Sequence, residues 1–200
     1  MRLRESTAGY AQEADGLVRQ YENIRFADVH RSVLHLFPTA PSRFLDVGAG
    51  TGRDAAALAA LGHRVVAVEP TVELRTRAAT LHPSPQIDWV DDRLPGLPNV
   101  TARGERFDVI LLTAVWMHLD RGQRQRAMPH IAHLMRRGGL MTLTLRHGPV
   151  PTGRRMFEVS PDETVALAEA EGFQVVVRLE RQPDAFGRPD VTWTRLAFSI

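Results

Sequence analysis

Three glycines and one glutamate are the residues whose spacing most clearly indicates chemistry in this chain. Gly48, Gly50 and Gly52 follow the apolar run 43–47, and Glu69 comes seventeen residues after Gly52, at the end of the next apolar run. Glycine tolerates positive φ and lets a ligand approach the backbone closely. A carboxylate can accept two hydrogen bonds from ribose hydroxyls. The pattern therefore indicates a site for a ligand that carries a ribose.

The glycine spacing separates two classes of ribose-containing ligand. A dinucleotide-binding turn reads GxGxxG, and its third glycine lets the helix pack closely on the strand. In this chain that third position is occupied by Arg53. Residues 55–61 are strong helix formers, so the turn still leads from a strand into a helix. A nicotinamide-dependent oxidoreductase is disfavoured, and an ordinary glycine-rich turn is the remaining structural alternative.

The motifs DVGAGTG at 46–52 and VVAVEP at 65–70 resemble those of class I S-adenosylmethionine-dependent methyltransferases. The resemblance extends in the right order of elements over residues 43–200. It implies S-adenosylmethionine as the cofactor and S-adenosylhomocysteine as its product. It also implies that the glycines admit the methionine moiety, that Asp46 orients its ammonium group and that Glu69 holds the ribose.

The loop after the third expected strand supplies the adenine contact that the resemblance implies. Asp92 is the better match for the carboxylate that accepts from the adenine amino group, and Asp91 is the alternative. An aspartate that only caps a helix or turn is the competing interpretation. The full set of implied cofactor-binding residues is Asp46, Gly48, Ala49, Gly50, Gly52, Arg53, Glu69, Pro70, Asp91, Asp92, Arg93 and Thr113.

Methyl transfer is an in-line displacement that leaves a neutral sulfur, so alignment and desolvation supply most of the catalysis. Effective molarities account for roughly 7–11 kcal/mol of such a barrier. A general base adds about 10²–10⁴-fold only where the nucleophile is a hydroxyl or a protonated amine. His118 and His147 follow expected strand ends and are the two candidate catalytic bases. A structural role at a helix start is the alternative for His118.

The methyl acceptor is expected to be a small molecule with an oxygen or nitrogen nucleophile. Arg146, Arg154 and Arg155 make the loop after the fifth strand strongly cationic, and guanidinium groups hold carboxylates and phosphates bidentately. This indicates an anionic acceptor, whereas solvated surface charge is the alternative for Arg154 and Arg155. The candidate substrate-binding residues are Tyr21, His30, Trp116 and Arg146, and packing against the sheet is the alternative role of Tyr21 and His30.

We expect an α/β fold built on a Rossmann-like open sheet of seven strands, mostly parallel with a C-terminal antiparallel hairpin. Apolar runs short enough to be buried strands alternate with helical patterns up to residue 172. The last two runs, 173–179 and 191–200, are joined without a helix and must therefore be antiparallel neighbours. N-terminal helices are expected over residues 6–19 and 24–37. The helix over 120–137 should be kinked or divided at Pro129.

Composition and length limit the remaining possibilities. Two hundred residues correspond to a single domain, with residues 1–40 as a helical lid and 41–200 as the α/β core. A net charge of +2 with interspersed acidic and basic residues disfavours nucleic acid as a partner. Cysteine is absent, which excludes thiolate metal sites and cysteine nucleophiles, and no metal constellation is visible.

The sequence shows neither a membrane span nor a signal peptide, and this leads to an expectation for the cellular compartment and the assembly of the protein. No apolar run approaches the ~20 residues of a membrane span, and the N-terminus lacks the apolar region of a signal peptide. We therefore expect a cytoplasmic monomer or homodimer with no membrane partner. A non-catalytic S-adenosylmethionine-binding protein is the alternative function.

Overall fold

The computed structural model describes residues 9–11 and 13–200, which contain seven strands. In chain order the strands are β1 Arg43–Val47, β2 Arg64–Val68, β3 Ile87–Val90, β4 Phe107–Leu112, β5 Met135–His147, β6 Gln174–Pro183 and β7 Thr192–Ser199. They form one sheet in the order β3-β2-β1-β4-β5-β7-β6. The pairs among β1 to β5 are parallel, whereas β7 runs antiparallel to both β5 and β6. The predicted seven-stranded sheet with its C-terminal antiparallel hairpin is confirmed.

The helices lie between the strands and ahead of the sheet. They are α1 Ala14–Glu22, α2 Phe26–Val29, α3 Arg53–Ala60, α4 Val72–Leu81, α5 Pro98–Thr101, α6 Arg121–Leu134 and α7 Pro161–Ala170, with 3₁₀ turns at Leu34–Leu36 and Trp116–His118. The Asp120 carboxylate begins α6 by accepting from the backbone N–H of Gln123, whose side chain accepts from the Asp120 N–H. This reciprocal pair satisfies two backbone donors at the start of the helix.

The N-terminal segment differs from its predicted form. The first helix was expected over 6–19, but α1 covers Ala14–Glu22, and residues 6–8 and Gln12 lie outside the described part. The expected second helix over 24–37 is divided into the four-residue α2 and a 3₁₀ turn. Proline at position 38 pushes Phe37 into an extended conformation. The apolar side chains of this segment are therefore buried by short turns rather than by one helical face.

Of the two forms predicted for the helix before β5, kinked or divided at Pro129, the divided form is wrong. Pro129 lies inside α6, and yet α6 is one helix of 14 residues rather than two pieces. Its buried face supplies the reason, because Ala127, Met128 and Ile131 pack into the core and hold the helix together around the proline. Tertiary packing thus outweighs the loss of one backbone hydrogen bond at that site.

The sheet separates two apolar layers, and its carboxyl end faces an open crevice. Leu45 and Val47 point into the layer formed with α6 and α7, whereas Phe44 points into the layer formed with α3 and the N-terminal segment. Leu17 of α1 packs on Leu74 of α4 and brings the N-terminal segment across the strand ends. Within residues 9–11 and 13–200, none of the helices combines the length and the apolar character needed to cross a membrane.

Candidate active site

A large cavity lies at the carboxyl ends of the central strands, where open α/β sheets place their ligands. Its volume is about 900 Å³, near the upper end of the ~300–1,000 Å³ range for small-molecule sites. Its walls come from the glycine turn after β1, the loops after β2, β3 and β4, the N-terminal segment and the loop between β6 and β7. The cavity therefore brings together parts of the chain that are far apart in sequence.

Most of the predicted cofactor-binding residues line this cavity, and two of them do not. Those on its wall are Asp46, Gly48, Ala49, Gly50, Arg53, Glu69, Pro70, Asp92, Arg93 and Thr113. Gly52 and Asp91 do not line it. A Cβ at Gly52 would lie 2.9 Å from the Trp89 ring and 3.0 Å from the His82 ring, so this glycine permits close packing of the turn on its neighbours.

The glycine turn is shaped by left-handed backbone and by a contact that only glycine allows. Gly48 has φ +74°, and a Cβ there would lie 2.6 Å from Cγ2 of Val115. The N–H groups of Gly48 and Ala49 both donate to the carbonyl of Val68 at 2.8 Å. The turn is therefore held against the end of β2, with its backbone exposed to the cavity.

Glu69 fixes this turn to the loop after β2. One carboxylate oxygen accepts from the N–H of Gly50 at 2.9 Å and the other from the N–H of Thr71 at 2.8 Å. Burial raises the pKa of Glu69, although these backbone hydrogen bonds oppose the rise. A carboxylate offers about four acceptor positions. Glu69 thus retains acceptor capacity toward the cavity beyond its two structural bonds.

Asp46 and Asp54 lie close together but in opposite electrostatic settings. Burial and the neighbouring charge of Asp54 raise the pKa of Asp46 well above its usual value. Burial also disfavours the charged form of Asp54, but His30 and Arg53 outweigh it and hold the pKa of Asp54 well below its usual range. His30 Nε2 and Arg53 Nε each lie 2.7 Å from an Asp54 oxygen, and Thr113 donates to it at 3.3 Å.

Asp46 is left with unused hydrogen-bonding capacity. Its Oδ2 is buried and has no partner among the described residues. Buried polar atoms in folded proteins are nearly always paired. An unpaired carboxyl oxygen on the cavity wall is the arrangement that a donor on a bound ligand would complete.

The two aspartates after β3 differ in placement. Asp92 is buried on the cavity wall and accepts from the N–H groups of Arg93 at 2.8 Å and Val100 at 2.9 Å. Asp91 is mostly exposed and pairs with Arg75 at 3.0 Å. The structure therefore puts Asp92 in reach of a ligand while also giving it the turn-capping role that competed with that interpretation.

His118 lies on the cavity wall with both ring nitrogens engaged. Nδ1 is 2.8 Å from the carbonyl of Arg155, and Nε2 is 2.9 Å from the Tyr10 hydroxyl. Because a carbonyl only accepts, Nδ1 carries the proton and the phenol donates to Nε2. Burial is the main cause of a lowered pKa at His118, and the charges of Arg154 and Arg146 lower it further.

Three predicted site residues do not reach the cavity. His147 follows Arg146 on β5 and points to the opposite face of the sheet, where its Nε2 lies 2.8 Å from the Thr194 hydroxyl. His30 is fully buried against Phe26 and bonded to Asp54. Trp116 is fully buried in the core beneath the loop after β4. None of the three side chains lines the space where an acceptor would bind.

The other predicted substrate residues, Tyr21 and Arg146, line the cavity. Burial and the neighbouring Arg188 lower the pKa of Arg146. Of the two further loop arginines, Arg154 lines the cavity, where it stacks 3.9 Å above the Tyr10 ring and pairs with Glu13 at 2.6 Å. Arg155 does not line it.

Sequence reasoning missed the contribution of the C-terminal hairpin to the site. Asp184, Arg188, Trp193 and Arg195 all line the cavity. Asp184 accepts from the Trp193 indole at 2.9 Å and from Arg188 at 2.7 Å, which fixes the loop between β6 and β7. Polar and apolar residues do not alternate along 192–198, so the period of two that marks the faces of a strand gave no signal for this part of the site. Among the described residues, no group of histidines and carboxylates could hold a metal ion.

Comparisons with known proteins relate this chain to methyltransferases. Residues 44–139 match the model of a methyltransferase domain. The chain is 32% identical over 127 residues to an uncharacterized methyltransferase of Mycobacterium tuberculosis, covering 63% of this chain and 49% of the relative. It is 33% identical over 104 residues to a ubiquinone biosynthesis O-methyltransferase of Parvibaculum lavamentivorans, covering 52% and 40%. The chain thus spans about half the length, or less, of these curated relatives.

Solved structures share the fold over nearly the whole chain. The 1,6-didemethyltoxoflavin-N1-methyltransferase of Burkholderia thailandensis, solved with S-adenosylhomocysteine, superposes with a TM-score of 0.71 at 22% identity, covering 94% of this chain and 84% of that one. A TehB-like methyltransferase of Corynebacterium glutamicum gives 0.67 at 19% identity, covering 94% and 98%. Residues 44–139 thus match a methyltransferase domain, and the sheet order and these structures show the fold of class I S-adenosylmethionine-dependent methyltransferases.

Proposed function

We propose that this protein transfers the methyl group of S-adenosylmethionine to an oxygen or nitrogen nucleophile of a small anionic molecule. The observation that carries the proposal is one cavity with two chemically different ends. The glycine turn, Asp46 and Glu69 form one end, and the Tyr10–His118 pair and Arg146 form the other. A cofactor end and an acceptor end in one space are what methyl transfer requires.

The residues at the first end fit the cofactor. Asp46 presents an unpaired buried carboxyl oxygen that suits the ammonium group of the methionine moiety. Glu69 is held by two backbone N–H groups with acceptor capacity left for ribose hydroxyls. Gly48 leaves room that a side chain would fill. When bound, the cofactor supplies an electrophilic methyl group on a sulfonium.

The residues at the second end suit an acceptor that must lose a proton. His118 Nε2 accepts a hydrogen bond from the Tyr10 hydroxyl, and Nδ1 carries the ring proton. A hydroxyl acceptor gives its proton to the Tyr10 oxygen while the phenol proton passes to Nε2, so the imidazole holds the net proton. His118 then acts as the base and Tyr10 as the link to the acceptor. Arg146 supplies a cation for the acceptor's anionic group.

Two experiments test this proposal in order. Calorimetric titration is expected to show binding of S-adenosylhomocysteine and no measurable binding of NAD. Transfer of radiolabelled methyl from S-adenosylmethionine is then measured with a panel of phenols, carboxylates and amines. Binding of S-adenosylhomocysteine without turnover of any acceptor would favour the non-catalytic alternative. Equal affinity for NAD would overturn the proposed cofactor.

A further inference from the structure

Two guanidinium groups on the hairpin side of the cavity, those of buried Arg146 and half-buried Arg195, form no ion pair among the described residues. Three other arginines that line the cavity are each paired with a carboxylate. The pairs are Arg53 with Asp54, Arg154 with Glu13 and Arg188 with Asp184. Arg146 and Arg195 have no carboxylate within 4.0 Å in the part of the chain that the structure describes, and both line the same cavity.

The sheet register places these two arginines side by side. Arg195 on β7 is directly opposite Thr144 on β5, and Arg146 is opposite Trp193. Opposite residues share a face, as do residues two apart on one strand. Arg146 and Arg195 are therefore diagonal neighbours about 7–8 Å apart on the face that lines the cavity. Side chains as long as arginine reach a common point from that separation.

Both guanidinium groups keep donors available. Arg146 is 9% exposed and makes one long hydrogen bond, to the carbonyl of Gly148 at 3.4 Å. Arg195 donates from one Nη to the carbonyl of Val29. A guanidinium has five N–H donors. Neither side chain has a nitrogen sealed away from solvent without a partner, so the unused donors open toward the cavity.

Burial of an unpaired charge is costly, and proteins usually compensate it. Burial lowers the pKa of both arginines, which shows how poorly their charged forms are solvated. The charges of Asp184 and Asp54 favour the charged forms of Arg146 and Arg195, respectively, without forming an ion pair with them. Each guanidinium still presents a fork of donors that matches the geometry of an oxyanion. The site lies near His118 and Tyr10, because the charge of Arg146 influences both.

We propose that Arg146 and Arg195 together form a subsite for an oxyanion group, carboxylate or phosphate, of the methyl acceptor. The proposal rests on the proposed function and adds Arg195 as a residue that determines which acceptors bind. The anionic group of the acceptor then lies beside the hydroxyl of Tyr10, so the acceptor carries its nucleophile close to its acid group. A neutral acceptor of the same shape leaves both charges uncompensated and binds poorly.

Calorimetric titration with three small probes tests the subsite in the free protein and in protein saturated with S-adenosylhomocysteine. The probes are benzoate, phenyl phosphate and benzamide, the last being a neutral analogue of benzoate. At least one anion is expected to bind ten times more tightly than benzamide. If benzoate binds more tightly than phenyl phosphate, the oxyanion group is a carboxylate. If phenyl phosphate binds more tightly, the group is a phosphate. Equal binding of benzamide, or no binding of either anion at millimolar concentration, overturns the proposal.

Four variants locate the anion. Arg146→Gln and Arg195→Gln are each expected to weaken anion binding about tenfold to a hundredfold, with affinity for S-adenosylhomocysteine unchanged. Arg126→Gln makes the same charge change at an exposed position of α6 and should leave anion binding unaltered. Circular dichroism and the melting temperature confirm folding, and Arg146→Lys, which keeps the charge without the fork, provides a second variant at this position.

The outcomes separate this subsite from the proposed function. If the arginine variants weaken the binding of S-adenosylhomocysteine instead of the binding of the anions, the guanidinium groups hold the methionine carboxylate. The proposed acceptor subsite is then overturned. If S-adenosylhomocysteine does not bind at all, the proposed function fails, and the titrations of the free protein still decide whether Arg146 and Arg195 bind an oxyanion.

Discussion

The hydroxyl of Tyr10 lies 2.9 Å from Nε2 of His118, a contact between residues 108 positions apart. The carbonyl of Arg155 holds Nδ1 of the same ring at 2.8 Å and thereby fixes its tautomer. Burial raises the pKa of Tyr10 and lowers that of His118, so both groups are neutral near pH 7. The N-terminal segment is thus hydrogen-bonded to the loop that follows β4, inside the cavity.

This contact leads to a prediction for the pH dependence of methyl transfer. For a hydroxyl acceptor, His118→Ala should lower kcat by about 10²–10⁴-fold and leave binding of S-adenosylhomocysteine intact. The acidic limb of the wild-type rate profile should lie below the ordinary histidine pKa of ~6.5, because burial lowers the pKa of His118 and only the neutral imidazole accepts a proton. Rate profiles against pH measure both effects.

Tyr10→Phe is the companion variant for the same contact. The phenol donates to the neutral imidazole and so favours its neutral form. Its removal should raise the pKa of His118 and move the acidic limb of the profile to higher pH, together with a lower kcat. His147→Ala is the matched control, since His147 points to the other face of the sheet. A full kcat in the His118 variant would contradict the assignment of the base.

Glu69 should have two measurable roles. Replacement by alanine removes the acceptor for ribose hydroxyls and also the bonds that join Gly50 to Thr71. Hydrogen bonds to a charged group are worth about 1.5–3 kcal/mol. Calorimetry should therefore show at least a tenfold loss of affinity for S-adenosylhomocysteine, and thermal unfolding should show a lower melting temperature. Normal affinity in a destabilised variant would restrict Glu69 to its structural role.

Gly48 and Gly62 provide a matched pair for the glycine turn. Both have left-handed backbone, but a Cβ at Gly62 meets nothing within 4 Å, whereas one at Gly48 lies 2.6 Å from Val115. Alanine at either position should cost about 1–2 kcal/mol of unfolding free energy from the backbone alone.

The excess cost at Gly48 measures the steric contact. Gly48→Ala should destabilise the protein further in urea unfolding and weaken the binding of S-adenosylhomocysteine. Gly62→Ala should leave the affinity for S-adenosylhomocysteine unchanged. Adding Val115→Ala should recover part of the loss at Gly48. Equal costs at the two glycines would show that the turn relaxes away from Val115.

Asp184 should make the hairpin loop sensitive to acid. Burial acts to raise its pKa, but hydrogen bonds from Arg188 and Trp193 outweigh it and lower the pKa to about 2. Because this value lies below that of an unfolded aspartate, the stability from Asp184 is present above about pH 4 and is lost as the pH falls toward 2. Urea unfolding from pH 7 to pH 3 should show this loss in the wild type and not in Asp184→Asn. An identical acid profile in both proteins would contradict it.

Local sequence signals determined the glycine turn and the antiparallel pairing at the end of the sheet. Positive φ is favourable only for glycine, so Gly48, Gly50 and Gly52 marked the turn without any tertiary information. The runs 173–179 and 191–200 lacked a helix between them, which required antiparallel pairing. These inferences succeed because backbone conformation and strand connection depend on residues that are neighbours in sequence.

The direction of each side chain was decided by tertiary structure. Alternation along a strand meant that Arg146 and His147 could not face the same space, but the sequence did not say which of them faced the cavity. The insertion of β7 between β5 and β6 brings Arg195 beside Arg146, and the packing of α1 on α4 brings Tyr10 to His118. These contacts join segments about 50 to 110 residues apart. Local sequence patterns did not determine them, because the chain must close long loops before such pairs can form.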